Sequence, residues 1–272
     1  MKRVVTLARD QTCGIPNFCM DIHRYTSRIK YLEEARPTLE VLFALQESHL
    51  LSVPFENLDI HAGRRIALDE SALFKKVVLR KRGGFCYELN GLFHLLLKAI
   101  GFDVKLLMGR VFDHNRNSYG PEFDHMLILA NVDGERWLVD VGFGDFSLHP
   151  LRFILNQLLS DRNGQFSIER YDDEYFRVSR YLPEERRSSP EYLFSLQERT
   201  LSDFSDMCQY HQTSPDSHFT SQRICSIATP TGRITLTDHK LIVTEGETRK
   251  ESIIRDQSDF SEALTRYFDI VL

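Results

Sequence analysis

Apolar residues recur every three or four positions through much of residues 21–101, and beyond Phe102 the spacing shortens. RYTSRIKYL, TLEVLFALQESHLLSV and SALFKKVVL each gather their apolar side chains on one face of a helical period, with Pro37 and Pro54 as breaks. VKLLMGRVF, HMLILANV and RWLVDVGF are short, rich in branched residues and bounded by Gly, Asn and Asp, so they read as strands. A helix-like patch is expected around Leu151–Leu159, followed by strands joined through SDRNG and PEERRSSP. ICSIAT, GRITLT and KLIVTE read as three more strands. SDFSEALTRYFDIVL then reads as a closing helix, with Asp259 and Glu262 at capping-box spacing. The expected class is α+β: a helical bundle, an antiparallel sheet, then a small α/β segment.

Composition narrows the function. The chain is 42% hydrophobic and 27% charged, enough apolar residues for a sizeable core. No window reaches the ~18 apolar residues of a membrane span. MKRVVTLARDQTCGIP lacks the ~7–15-residue apolar stretch of a signal peptide, so a cytoplasmic location is expected. A net charge of −5 argues against a nucleic-acid partner. The basic run KKVVLRKR is a solvated helix face or an anion-attracting patch. Five cysteines, odd in number and without paired spacing, point to reduced thiols. Cys208 and His211 have zinc-ligand spacing, but no second pair follows, and no metal is expected.

One cysteine stands out. In RGGFCYELNGLFHLLLKAIGF, Gly83 and Gly84 allow a tight turn, and Leu89, Leu92, Phe93, Leu96 and Ile100 form the buried stripe of a helix. Cys86 falls in the first turn, facing unpaired N–H groups and the positive end of the dipole. That position is expected to lower its thiol pKa, most of all beside an imidazolium. An inert buried cysteine is the plainer alternative.

A nucleophile of this kind needs a base and a group to orient the base. In DHMLILANVDGERWLVDVGFGD, two apolar runs flank Asp133-Gly134, the sequence of a two-residue hairpin turn. Pairing Val132 with Glu135 sets Leu127 opposite Asp140 and His125 opposite Gly142. His125 and Asp140 then become diagonal neighbours on one face, roughly 7–8 Å apart at the backbone. Met126, Ile128, Ala130, Val132, Trp137, Val139 and Val141 share the other face. A structural His–Asp hydrogen bond would also satisfy both polar groups. A Cys86–His125–Asp140 triad gives each residue a role.

RGGFCYELN, the His125 strand and DVGFG together resemble the signature of the arylamine N-acetyltransferases. YTSRI, VPFENLD (Val53 to Asp59) and YHQTSPDSHFT (Tyr210 to Thr220) resemble further motifs of that family, and the likeness runs from Met20 to the end. The resemblance implies a helical bundle over 20–101 carrying Cys86, an antiparallel β-barrel-like domain over 102–205 carrying His125 and Asp140, and an α/β lid over 206–272. It also implies a core like that of papain and the transglutaminases. Residues 1–19 would be an N-terminal extension, with Met20 as an alternative start.

The same resemblance implies acetyl transfer from acetyl-CoA to an arylamine or arylhydrazine by a double displacement, with no permanently bound cofactor. Phe143 and Val111 would line the acceptor pocket, unless they are strand core. Tyr210 and Ser217 would lie near CoA, unless SPDS is only a turn. Arg28, Glu56 and Arg82 fall in matching motifs and would form a buried charge network beside the thiol, with surface ion pairing as the alternative.

Overall fold

The computed structural model describes residues 18–271; the extension expected over 1–19 lies outside the described residues except for its last two. Helices α1 (Ile22–Arg28) and α2 (Leu39–Leu50) are capped by Asp21 and Thr38, whose side chains accept from Arg24 N and Val41 N. A two-residue strand β1 (Phe55–Glu56) leads to short α3 (Leu58–His61). Helix α4 (Glu70–Phe74) runs into a π-helical turn over Lys75–Leu79, and α5 (Cys86–Ile100) ends on Gly101 in the left-handed region. The helical reading of this region holds.

The basic run, which lies in the π turn and just past it, divides in two. Lys75, Arg80 and Lys81 are exposed, while Lys76 and Arg82 are buried. A π turn inserts an extra residue, which shifts the helical face that the spacing alone would assign.

Nine strands follow: β2 (Asp103–Asp113), β3 (Ser118–Tyr119), β4 (His125–Val132), β5 (Glu135–Val139), β6 (Leu151–Arg152), β7 (Leu158–Asp161), β8 (Gly164–Arg170), β9 (Tyr175–Leu182) and β10 (Arg187–Ser195). They pair antiparallel in the order β6-β5-β4-β2-β10-β9-β8-β7, with β3 on β2. Past β6, Leu155 bridges to Ile168 of β8, so the sheet curls into a nearly closed barrel. The helix-like patch at Leu151–Leu159 is therefore wrong: it holds β6 and β7. Its apolar residues face two directions, Leu151 into the barrel core while Leu158 is exposed, a pattern that strands at a sheet edge tolerate.

Helices α6 (Ser205–Thr213) and α7 (His218–Ser221) precede β11 (Ile224–Thr229), β12 (Gly232–Thr237), β13 (Lys240–Glu245), β14 (Thr248–Ile253) and α8 (Gln257–Phe268). These four strands form a second sheet in which β1, from the helical region, pairs with β11. The closing helix starts earlier than expected. Asp256 is the cap, accepting from Ser258 N and Asp259 N, and Asp259 instead binds Arg255. Capping followed the first free N–H groups, which the Asp256 carboxylate reaches and Asp259 does not.

Three apolar clusters hold these layers together. The largest lies between the N-terminal helices and the face of β4 and β5 that carries Met126, Ile128, Ala130, Trp137 and Val139. The second fills the barrel around Leu127, Leu138, Phe166 and Phe194, and the third lies under α8 around Leu236 and Phe260. Helix α5, wedged between bundle and barrel, carries Cys86 to the junction.

Candidate active site

The hairpin register decides where His125 and Asp140 meet. Asp133 and Gly134 both have positive φ, as a type I′ turn requires, and Val132 pairs with Glu135 and Ile128 with Val139. The ladder ends there, and His125 Nε2 lies 2.7 Å from Asp140 Oδ2 with both side chains buried. Asp140 Oδ1 accepts from Gly142 N at 2.9 Å and from Asn90 Nδ2 at 2.8 Å. Both oxygens of this buried carboxylate are therefore hydrogen-bonded.

Two residues dock the strand end on the helix start. Asn90, one turn beyond Cys86 on α5, donates to the Met126 carbonyl and to Asp140, and accepts from Val141 N at 2.9 Å. A Cβ on Gly142 would stand 2.8 Å from Cys86 Cα and 3.1 Å from its carbonyl oxygen, so only glycine lets the backbones approach this closely. Gln46 of α2 accepts from Asp140 N at 3.3 Å. Cysteine, imidazole and carboxylate thus share one junction.

Comparison with known proteins decides the family. The N-acetyltransferase family model matches residues 38–272. The chain is 36% identical over 231 residues to human arylamine N-acetyltransferase 1, covering 78% of this chain and 79% of that protein. It is 32% identical to the chicken pineal gland isozyme NAT-10, covering 93% and 95%. The arylamine N-acetyltransferase structure from Salmonella typhimurium superposes with a TM-score of 0.85 at 30% identity, over 91% of this chain and 90% of that one. The chain belongs to the arylamine N-acetyltransferase family. Members of that family are acyl-transferring enzymes, and the α+β class is theirs as well.

In this arylamine N-acetyltransferase family member, the turn before Cys86 rests on buried ions. Glu88 reaches back to Phe85 N at 3.2 Å and takes Lys76 Nζ at 2.8 Å. Arg82 grips Glu56 at 2.7 Å and 3.0 Å, and Asp59 lies within 3.3 Å of Arg82 and 3.0 Å of Lys76. Burial pushes the Glu88 carboxyl up to about 7 against the pull of Lys76. The expected network therefore contains Glu56 and Arg82 but not Arg28. Arg28 is spent on carbonyls, donating to Ser52 O at 2.6 Å and Val77 O at 3.1 Å. Lys76, paired with Glu88, takes its place.

The thiol itself departs from expectation. Burial pushes Cys86 well above the usual thiol range, and the nearby Asp124 and Asp140 charges push the same way. A hydrogen bond to the Met126 backbone is the one influence pulling it down. Desolvation outweighs the helix start because Cys86 is only 3% exposed. Forming the thiolate therefore requires a group that takes its proton.

The residues expected for acceptor and CoA meet at Val111. Phe143 packs on the His125 ring, centroids 5.1 Å apart, inside the barrel cluster. Val111 pairs across from Tyr192, whose ring packs on Phe143, and it also lines a cleft of about 300 Å³ together with Tyr210 and Ser217. Tyr210 is 40% exposed at the mouth, whereas Ser217 is buried, accepting from Phe219 N as the cap of α7. Ser217 Oγ also lies 3.0 Å from His211 Nδ1, and His211 Nε2 lies 3.1 Å from Asp124 Oδ1, an ion-pair approach off hydrogen-bond angles. His211, read as half of an incomplete metal motif, belongs to this cleft. Asn90 was passed over too, although a polar residue four positions after Cys86 on the buried stripe signals it.

Proposed function

We propose that the protein transfers an acetyl group from acetyl-CoA to an arylamine or arylhydrazine through acetyl-Cys86. What carries this reading is the buried His125–Asp140 pair docked through Asn90 on the turn that bears Cys86.

The steps follow from charge. Asp140 holds Nε2 of the His125 ring, which leaves Nδ1 to take the thiol proton as the sulfur attacks the thioester. The imidazolium formed beside the thiolate offsets the desolvation that otherwise keeps Cys86 protonated. The thioester bond to CoA breaks as the thioester to Cys86 forms, so the step is close to balanced, and His125 returns the proton to the CoA sulfur. In the second half the amine attacks, His125 accepts its proton, and the Cys86 thiol is released. An aromatic amine suits the site because it stays unprotonated near neutral pH. The Cys86 amide is our candidate oxyanion donor.

Phe143 is assigned to the acceptor, Tyr210 and Ser217 to CoA, and Val111, between them, to the acceptor side of the shared cleft. We place the protein in the cytoplasm and the reaction in the handling of foreign aromatic amines; among the described residues no helix is long and apolar enough to cross a membrane. Initial rates at varied acetyl-CoA and arylamine test the route. Parallel double-reciprocal lines are expected, and intersecting lines would exclude an acetyl-enzyme.

A further inference from the structure

A second cleft, of about 760 Å³, opens between the barrel and the C-terminal sheet. Arg162, Arg180, Arg233 and Arg249 line it, and among the described residues Asp145 is its only lining carboxylate. Three of these arginines hold carboxylates that do not line the cleft: Arg162 pairs with Glu47, Arg180 with Glu191 and Arg249 with Glu251.

Arg233 differs. Its side chain is 15% exposed, and its buried Nε has no hydrogen-bond partner. Its nearest carboxylate, Asp145, lies 3.6 Å away and is itself 68% exposed. The other guanidinium nitrogens donate to Gly144 O at 2.7 Å and Ser226 Oγ at 3.0 Å, neither of them charged. Burial pulls this guanidinium below its ordinary value. A largely buried cation whose one ion pair is long and solvent-exposed gains from a further anion. Guanidinium forks match phosphoryl oxygens in shape as well as charge, and hydroxyls of Thr231, Thr235 and Thr244 line the same space. The volume lies in the range of small-molecule sites.

We propose that this cleft binds a phosphoryl group, with Arg233 as its inner anchor and Arg162, Arg180 and Arg249 around it. The group belongs either to the CoA cosubstrate, a source that rests on the function proposed above, or to a free phosphorylated anion.

Calorimetric titration of the full chain with inorganic pyrophosphate at low salt tests it. Saturable binding is expected, weakened about tenfold or more in Arg233→Gln, the loss expected for one charge-assisted contact. Should Arg233→Gln fold poorly, the Arg162→Gln/Arg249→Gln double variant decides, because those side chains are 49% and 61% exposed. A several-fold weaker affinity is expected there. No saturable binding of pyrophosphate at millimolar concentration overturns the proposal, as does unchanged affinity in the variants. The source is read from KM in the double variant, with acetyl-CoA compared against S-acetylpantetheine, which has no phosphate. A rise for acetyl-CoA alone assigns the cleft to the cosubstrate. Unchanged KM for both donors, with weakened pyrophosphate binding, assigns it to a free anion. A wild-type protein inactive with either donor would sink the acetyltransferase reading while the calorimetry still decides the cleft.

Discussion

Asn90 donates a 2.8 Å hydrogen bond to Asp140 from a position one helical turn beyond Cys86. The same amide group also accepts from Val141 N, so a single side chain sets the spacing between the helix that carries the sulfur and the strand end that carries the acid. Replacing it with alanine leaves the buried Val141 N–H unpaired and strips Asp140 Oδ1 of one of its two donors. Asn90→Ala is expected to lose about 2–4 kcal/mol of stability and most of its kcat. Denaturant melts with single-turnover acetylation would check both. Unchanged turnover in a folded Asn90→Ala would show that the junction is held elsewhere.

Gly142 makes the complementary test. Gly142→Ala places a methyl 2.8 Å from Cys86 Cα, a contact that only backbone movement relieves. A cost of about 1–3 kcal/mol is expected, with a fall in acetylation rate larger than that of a surface Gly→Ala such as Gly246→Ala. Gly246 has a positive φ of its own but open space around it.

Asp140→Asn should keep the fold and lose most of the rate. An amide favours the wrong imidazole tautomer, and in the Ser-His-Asp enzymes this change costs roughly 10⁴ in kcat. Activity within tenfold of wild type would remove Asp140 from the orienting role.

Stability should fall on mild acidification. His49 is buried and accepts or donates to Tyr25 Oη at 3.0 Å, and burial holds its pKa at about 3, below the ordinary 6.5. The unfolded chain therefore binds a proton that the folded chain does not between about pH 6.5 and pH 3. The stabilising contribution is present above about pH 6.5 and is lost as pH falls toward 3, up to about 5 kcal/mol. Urea unfolding at pH 7.5 and 5.0 should show about 2 kcal/mol of this drop in wild type and a smaller one in His49→Gln. Equal drops would clear His49.

Much of this was legible in the chain because it rests on local periodicity. The Asp133-Gly134 turn sets the register of β4 and β5, and with it the His125–Asp140 meeting. What was not legible came from burial and distance. Lys76 reads as one cation in a basic run until a π turn folds it onto Glu88. The Cys86 thiol was expected to be low from its helix start alone, since the desolvation that reverses the shift depends on how completely the barrel covers it. Leu151–Leu159 looked helical because short edge strands carry no period of their own.

Intact-protein mass spectrometry after mixing with acetyl-CoA alone, followed by peptide mapping, bears most directly on Cys86 as the carrier. One acetyl group on the Cys86 peptide, absent in Cys86→Ser, is the expected result. Acetyl transfer to an arylamine by a chain that never carries acetate on Cys86 would contradict it.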